Sequence, residues 1–133
     1  MPSIFTKIIA GEIPSYKVAE TEDFLAFLDI FPLRRGHTLV VPKVEVDRLF
    51  DLDENTYLGL MRFAKHVAAG VKTAFPCNRI GMAVIGLEVP HAHIHLVPLD
   101  EMADIDFGRP KLSLEPPEFQ DIAFRISDHL RYD

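Results

Sequence analysis

Three of the six histidines of this 133-residue chain fall within five consecutive positions, His91-Ala92-His93-Ile94-His95. On an extended strand successive side chains alternate, so the three imidazoles share one face while Ala92, Ile94 and Leu96 pack on the other. Three chemistries fit such a row on a surface strand. The first is a solvated polar face with no further task. The second is a metal site, since His-x-His on a strand can chelate zinc. Against it, His91 and His95 stand four residue rises apart, roughly 13 Å between Cα atoms, too far to share one ion comfortably, and no Cys or obvious carboxylate ligand lies near them in sequence. The third is nucleophilic catalysis at phosphorus. A neutral imidazole is a good nucleophile once a partner settles which nitrogen carries the proton. Flanking imidazoles can hold a phosphoryl oxygen or protonate a leaving group. The central His93 is then the nucleophile, with His91 and His95 as donors on either side.

The elements that must carry these residues show in the patterning. Ser3 can cap a short helix through Ala10 that places Ile4, Phe5, Ile8 and Ile9 on one face, with Gly11 ending it and Pro14 preventing a restart. Tyr16–Ala19 and Phe24–Asp29 predict two strands around the polar turn Glu20–Asp23, and His37–Val41 a third, closed by Pro42. Asp53 is a good N-cap for a long amphipathic helix, whose apolar residues run from Tyr57 to Phe75 at three- and four-residue spacing until Pro76 stops it. Arg79–Ile85 and Ala92–Leu99 predict two more strands. Residues 102–117 are broken by Gly108, Pro110, Pro116 and Pro117, and a last amphipathic helix spans about Glu118 to Arg131. Strands met mostly in neighbouring order, with a helix inserted among them, predict an α+β domain built on an antiparallel sheet.

Composition narrows the function classes. The length suits one domain, 1–133, with no room for a second core. Twenty acidic against fourteen basic residues give a formal net charge of −6, which speaks against a nucleic-acid binder working through a broad basic surface. It does not speak against a phosphate-bearing ligand in a local pocket. No apolar run approaches the roughly 18 residues of a membrane span, and no signal peptide is read at the N-terminus. Cys77 is the single cysteine, so no intramolecular disulfide forms, and a reducing, cytoplasmic setting is expected.

H-A-H-I-H-L-V-P, with Gly86 five residues upstream, resembles the signature of the histidine triad (HIT) nucleotide-binding family. The opening S-I-F-T-K-I-I-A-G-E-I-P, the block F-L-A-F-L-D-I-F-P and the block G-H-T-L-V-V-P-K are similar to three further family segments in the same order. The resemblance implies a five-stranded antiparallel sheet with one long and two shorter helices, joined to a second sheet across a homodimer. It implies a hydrolase or transferase cleaving nucleoside monophosphate from phosphoramidate, ester or anhydride partners of purine nucleotides, with no cofactor. A nucleotide-binding regulator with little turnover and a protein holding metal through its histidines are the competing readings. By the resemblance His93 forms a covalent nucleotidyl-histidine, His95 contacts the phosphate and the departing group, and His91 supports the nucleophile. His37 falls at a fourth, buried histidine; a strand-end histidine with a satisfied hydrogen bond reads equally well there. Asp29 matches the acidic residue on the ribose hydroxyls, a role suited to a carboxylate that accepts from two neighbours at once. Ile4, Phe5, Ile8, Ile13, Phe27, Leu28 and Ile30 match the base pocket, although each alone is also an ordinary core residue. Gly86, Leu87 and Glu88 match the phosphate-side segment.

Departures from the family pattern carry expectations of their own. Where many bacterial members hold structural zinc with two Cys and a His, this chain has Ser3, Thr6 and Glu45, so no zinc is expected there. Leu87 and Glu88 replace usual polar residues, and the family's Asn before the triad is not evident. A carboxylate at position 88, facing the leaving group, would repel a second phosphate and favour a cationic amine.

Overall fold

The structure, a computed structural model, describes residues 2–130. Ser3 opens helix α1 (Ile4–Ile9): its hydroxyl accepts from the Thr6 amide at 3.0 Å, and Gly11, at φ 81°, turns the chain away beyond the helix. Strands β1 (Lys17–Glu20), β2 (Phe24–Leu28) and β3 (Thr38–Pro42) follow as a meander. Helix α2 (Glu54–Ala74) is capped by Asp53, which accepts from the Thr56 amide at 2.6 Å. Strands β4 (Arg79–Ala83) and β5 (Ile94–Leu99) come next, and helix α3 (Pro116–Leu130) ends the described chain. All pairings are antiparallel, in the order β1-β2-β3-β5-β4, so β5 inserts between β3 and β4. The expected fold class is thus the one observed: a five-stranded antiparallel sheet with one long and two shorter helices.

The two faces of the sheet are covered unequally. Val18, Ala26, Leu28, Val40, Ile94 and Leu96 pack beneath α2 and α3, against Leu60, Val67, Val71, Ile122 and Ile126. The alternate residues Leu25, Phe27, Leu39 and Val41 meet α1 through Phe5 and Ile8, with Ile13 and Val89 packed beside them. His95 pairs with Leu39 in the β3–β5 register, which puts it on this second, thinly covered face. The helical layer itself packs closely: a Cβ built on Gly70 would lie 2.5 Å from Leu130 Cδ2, so a side chain there would have to displace that of Leu130.

Element ends shifted in ways that matter for the histidines. The strand expected from Ala92 starts at Ile94, because the Ala92 amide donates to the Val46 carbonyl at 2.7 Å and the His91 amide to Val89 at 2.9 Å instead of joining the β4 ladder. The strand expected to reach Ile85 ends at Ala83, and Gly86 then takes φ 73° as the chain departs. His37 and Asp29 sit one residue outside β3 and β2, joined by an Asp29 amide to His37 carbonyl bond of 3.1 Å. Helix α3 begins at Pro116 instead of Glu118, since proline is at home in a first helical turn; the expected end at Arg131 lies outside the described residues. Within the broken segment, Met102–Ile105 forms one 3₁₀ turn.

Candidate active site

The alternation expected of the triad persists through residues 91–95 even though ladder pairing starts only at Ile94: Ala92, Ile94 and Leu96 enter the helix-side core, and the imidazoles face the other way. Their expected exposure is corrected. His91, His93 and His95 are 0%, 7% and 9% exposed, because α1 and the segment after β5 cover them.

Donor and acceptor constraints assign each ring nitrogen. A carbonyl oxygen only accepts, so the 2.8 Å contact of His91 Nε2 with the Pro42 oxygen puts a proton on Nε2. In the neutral ring Nδ1 then accepts from the Ser3 hydroxyl, also at 2.8 Å. The His91 backbone oxygen accepts from His93 Nδ1 at 2.7 Å, which leaves His93 Nε2 with its lone pair. A second relay starts at the Leu33 amide, which donates to His37 Nδ1 at 3.0 Å. His37 Nε2–H therefore donates to His95 Nδ1 at 3.0 Å, and the proton of His95 resides on Nε2. The site thus presents a nucleophilic nitrogen on one imidazole and an N–H donor on its neighbour, with ring centroids 5.1 Å apart.

Burial favours the neutral form of His37, His93 and His95. It pulls His37 down to about 3, helped by the charge His95 would carry, and His95 down to about 4, helped by His93. His93 is lowered by the same desolvation, against the opposing pull of its bond to the His91 carbonyl. Asp29 lies beside this relay: Oδ2 is 3.5 Å from His37 Nε2, and Oδ1 accepts from the Phe31 amide at 2.9 Å. Its burial raises the carboxyl pKa, opposed by that amide and by the nearby His93 and Lys111.

Asp29, His37 and His95 have their ligand-type atoms within 4.8 Å of one another. They do not fit a cation as arranged, because the Leu33 amide takes the Nδ1 lone pair of His37 and the Nε2 proton fills the space between the rings. His91 and His93 fit metal no better, each having its ring nitrogens committed as above except His93 Nε2. Ser3, Thr6 and Glu45, at the positions compared with the family's zinc ligands, satisfy one another together with His91. Glu45 Oε1 accepts from the Ser3 amide at 2.7 Å and the Thr6 hydroxyl at 2.6 Å, and the Ser3 hydroxyl reaches His91. Two hydroxyls and a carboxylate are a poor zinc set. They are a good clamp between α1, the segment after β3 and the triad.

The other expected residues divide. Phe5, Ile8 and Phe27 come together beside the triad, with the Phe5 ring 4.9 Å from His93 and 5.6 Å from Phe27, and Ile13 packs against them. Ile4 and Ile30 are half exposed. Leu28 is a correction: its side chain points into the helix-side core with Val18 and Val40, since it alternates with Phe27. Gly86 and the exposed Leu87 and Glu88 lie on the loop after β4. Sequence reasoning missed Phe107, whose ring stands 4.8 Å from His95 and 6.0 Å from His37. It sits in the irregular segment, where no periodicity marks a buried face. The Leu33 amide and Pro42 carbonyl were equally unreadable, being backbone groups without a sequence signal.

A family model described as the HIT domain matches residues 10–102. An uncharacterized HIT-like protein of Borreliella burgdorferi is 36% identical over 132 residues, covering 93% of this chain and 95% of that one. The adenosine 5'-monophosphoramidase HNT1 of Saccharomyces cerevisiae is 38% identical over 109 residues, covering 80% of this chain and 69% of the relative. Among solved structures, a Hit-like protein of Bartonella henselae involved in cell-cycle regulation superposes with a TM-score of 0.83 at 32% identity, with 96% of each chain covered.

Proposed function

Because the chain belongs to the histidine triad family, we propose that it is a nucleotidyl hydrolase or transferase in which His93 Nε2 attacks the α-phosphorus of a purine nucleotide conjugate. The observation that carries this reading is the 2.7 Å bond from His93 Nδ1 to the His91 carbonyl, which commits the proton to one nitrogen and leaves the other free to react. As the Nε2–P bond forms, the bond to the leaving atom breaks with its electron pair, and that atom takes a proton from solvent when it is nitrogen or an alcohol oxygen. The phosphorylated imidazole gains a positive charge, which the His91 carbonyl stabilises through Nδ1–H. His95 Nε2–H donates to the phosphoryl oxygen or the leaving atom throughout. Water then adds to phosphorus, loses a proton to solvent, and returns the bonding pair to His93. Asp29 accepts from the ribose hydroxyls, and Phe5, Ile8, Ile13 and Phe27, with Ile4 and Ile30 at the rim, take the base. Gly86, Leu87 and Glu88 border the phosphate, where the carboxylate favours amine leaving groups over a second phosphate.

The name of the yeast relative, an adenosine monophosphoramidase, supports a phosphoramidate substrate. The outer edge of β4 has no partner strand among the described residues, which supports a homodimer joined edge to edge into one sheet. The cytoplasm suits the lone Cys77, and no helix among the described residues is long and apolar enough to cross a membrane. Leu87, in place of a polar residue and 89% exposed, favours as second reading a nucleotide binder with little turnover. Mass spectrometry of protein quenched during turnover of adenosine 5′-phosphoramidate separates the two. The expected result is one added adenylyl group on His93, lost together with hydrolysis in His93→Ala while nucleotide binding persists. Turnover in His93→Ala, or an adduct on another residue, would overturn the assignment.

A further inference from the structure

Between β5 and α3 the chain turns back across the sheet, and polar anchors hold it there. Asp104, 5% exposed, accepts from the Asp100 and Glu101 amides at 2.8 and 2.9 Å, which closes the 3₁₀ turn at Met102–Ile105 on itself. The same carboxylate pairs with the Arg34 guanidinium. Arg34 also donates to Asp100 at 3.2 Å, and its carbonyl accepts from the His37 amide at 3.1 Å. The Asp104–Arg34 pair therefore ties the segment after β5 to the turn that carries His37. Further on, the Lys111 ammonium donates to the Phe107 and Arg109 carbonyls at 2.6 and 3.2 Å, and the Leu112 amide donates to the Pro32 carbonyl at 2.8 Å. Residues 100–112 thus form a strap fastened at both ends to residues 32–34. Asp104 and Phe107 lie beyond residue 102, where the match to the family model ends.

The strap holds Phe107 over the two-imidazole relay. The half-buried ring stands nearly perpendicular to His95, at 4.8 Å and 71°, and to His37, at 6.0 Å and 79°. A hydrogen bond between neutral imidazoles orients a ring weakly when water competes for both nitrogens, and more firmly under a hydrocarbon cover. We propose that Phe107, anchored through the Asp104–Arg34 ion pair, is a positioning residue that keeps water from the His37–His95 bond and so holds His95 with its Nε2–H toward phosphorus. The inference rests on the function proposed above and deepens it. The titratable and charged groups around His95 are His93 on its own segment, His37 before β3, Asp29 after β2 and Lys111 on the strap, with Glu88 acting on Asp29 from the loop after β4. Phe107→Ala alters none of them, and it keeps the backbone carbonyl that Lys111 uses. Its effect on His95 therefore reads the lost cover.

Phe107→Ala, Phe107→Leu and Asp104→Asn test this, with adenosine 5′-phosphoramidate as substrate and histidine ¹⁵N NMR as a readout that needs no turnover. Phe107→Ala should lower kcat about tenfold and leave KM within about twofold, since the ring orients His95 without touching substrate. The NMR titration of His95 should move up from near 4 toward the ordinary 6.5 as water relieves its burial. Phe107→Leu, still a hydrocarbon cover, should keep most of kcat and the original titration. Asp104→Asn should shift both readouts in the direction of Phe107→Ala, and the double variant should be no worse than Phe107→Ala alone, because Asp104 acts through Phe107. Circular dichroism verifies that each variant is folded. An unmoved His95 titration in Phe107→Ala would overturn the strap's role and leave the proposed function standing. So would a raised KM at unchanged kcat, which would put Phe107 against the substrate, or additive losses in the double variant. If the wild type neither turns over the probe nor gains an adduct on His93, the proposed function falls, and the inference that deepens it falls with it.

Discussion

A neutral imidazole has one proton for two nitrogens, so one fixed partner decides what the other nitrogen can do. The His91 carbonyl leaves the lone pair of His93 on Nε2, and the relay from the Leu33 amide through His37 leaves His95 with its N–H at Nε2. Asp29 is held as firmly, its Oδ1 accepting from the Phe31 amide at 2.9 Å. Asp29→Asn keeps that bond through the amide oxygen but loses the charge that, in the proposed function, meets the ribose. Ribonucleotide binding should weaken by about 1.5–3 kcal/mol, with 2′-deoxyribonucleotides losing less. Equilibrium titration of both ligand types reads this, and equal losses would remove Asp29 from the ribose site. The histidine row and its alternation were legible because they are local. The proton positions were not, because each depends on a backbone group from another segment.

Helix α1 has only six residues, too short to be stable alone, so its contacts must hold it. Ser3 supplies two: it caps the helix through the Thr6 amide and donates to His91 Nδ1. Ser3→Ala removes a cap worth about 0.5–2 kcal/mol and leaves a buried acceptor without its donor, about 1–3 kcal/mol more. Urea unfolding should therefore show a loss of about 2–3 kcal/mol, which Ser3→Thr largely restores. A loss of only a few tenths would mean that the contact to His91 is replaced by water. The cap itself was legible, as were the long helix from Asp53 and the meander, since caps, periodicity and prolines act within a few residues. The strand ends around the triad were not. Ala92 leaves the ladder for the Val46 carbonyl, a choice between two distant partners that no pattern near residue 92 announces.

Across the molecule, the histidines kept neutral by burial make stability depend on pH. His37 and His95 fall to about 3 and about 4 from an ordinary value of 6.5, and His93 falls in the same direction. Between those values and 6.5 the unfolded chain binds more protons than the folded one, so stability rises with pH through that window and is lost on acidification. The raised carboxyl of Asp29 acts oppositely, but only close to its own range and as one group against three. The Tm should fall as the pH is lowered from 7.5 to 4.5; a flat or rising Tm would show that the rings are not buried as described. By itself the sequence determined the α+β class, the element order, the row of imidazoles on one side of an extended segment and the absence of a Cys pair at residues 3 and 6, since each is a matter of residue type and short-range spacing. Only the tertiary structure decided that the row is buried, that Leu28 faces away from it, that Phe107 shields it and that Ser3, Thr6 and Glu45 close into a hydrogen-bonded clamp. His91 meets Pro42 and Ser3 across 49 and 88 residues of chain, and at such separations a contact is set by how the sheet and α1 pack, which no local pattern encodes.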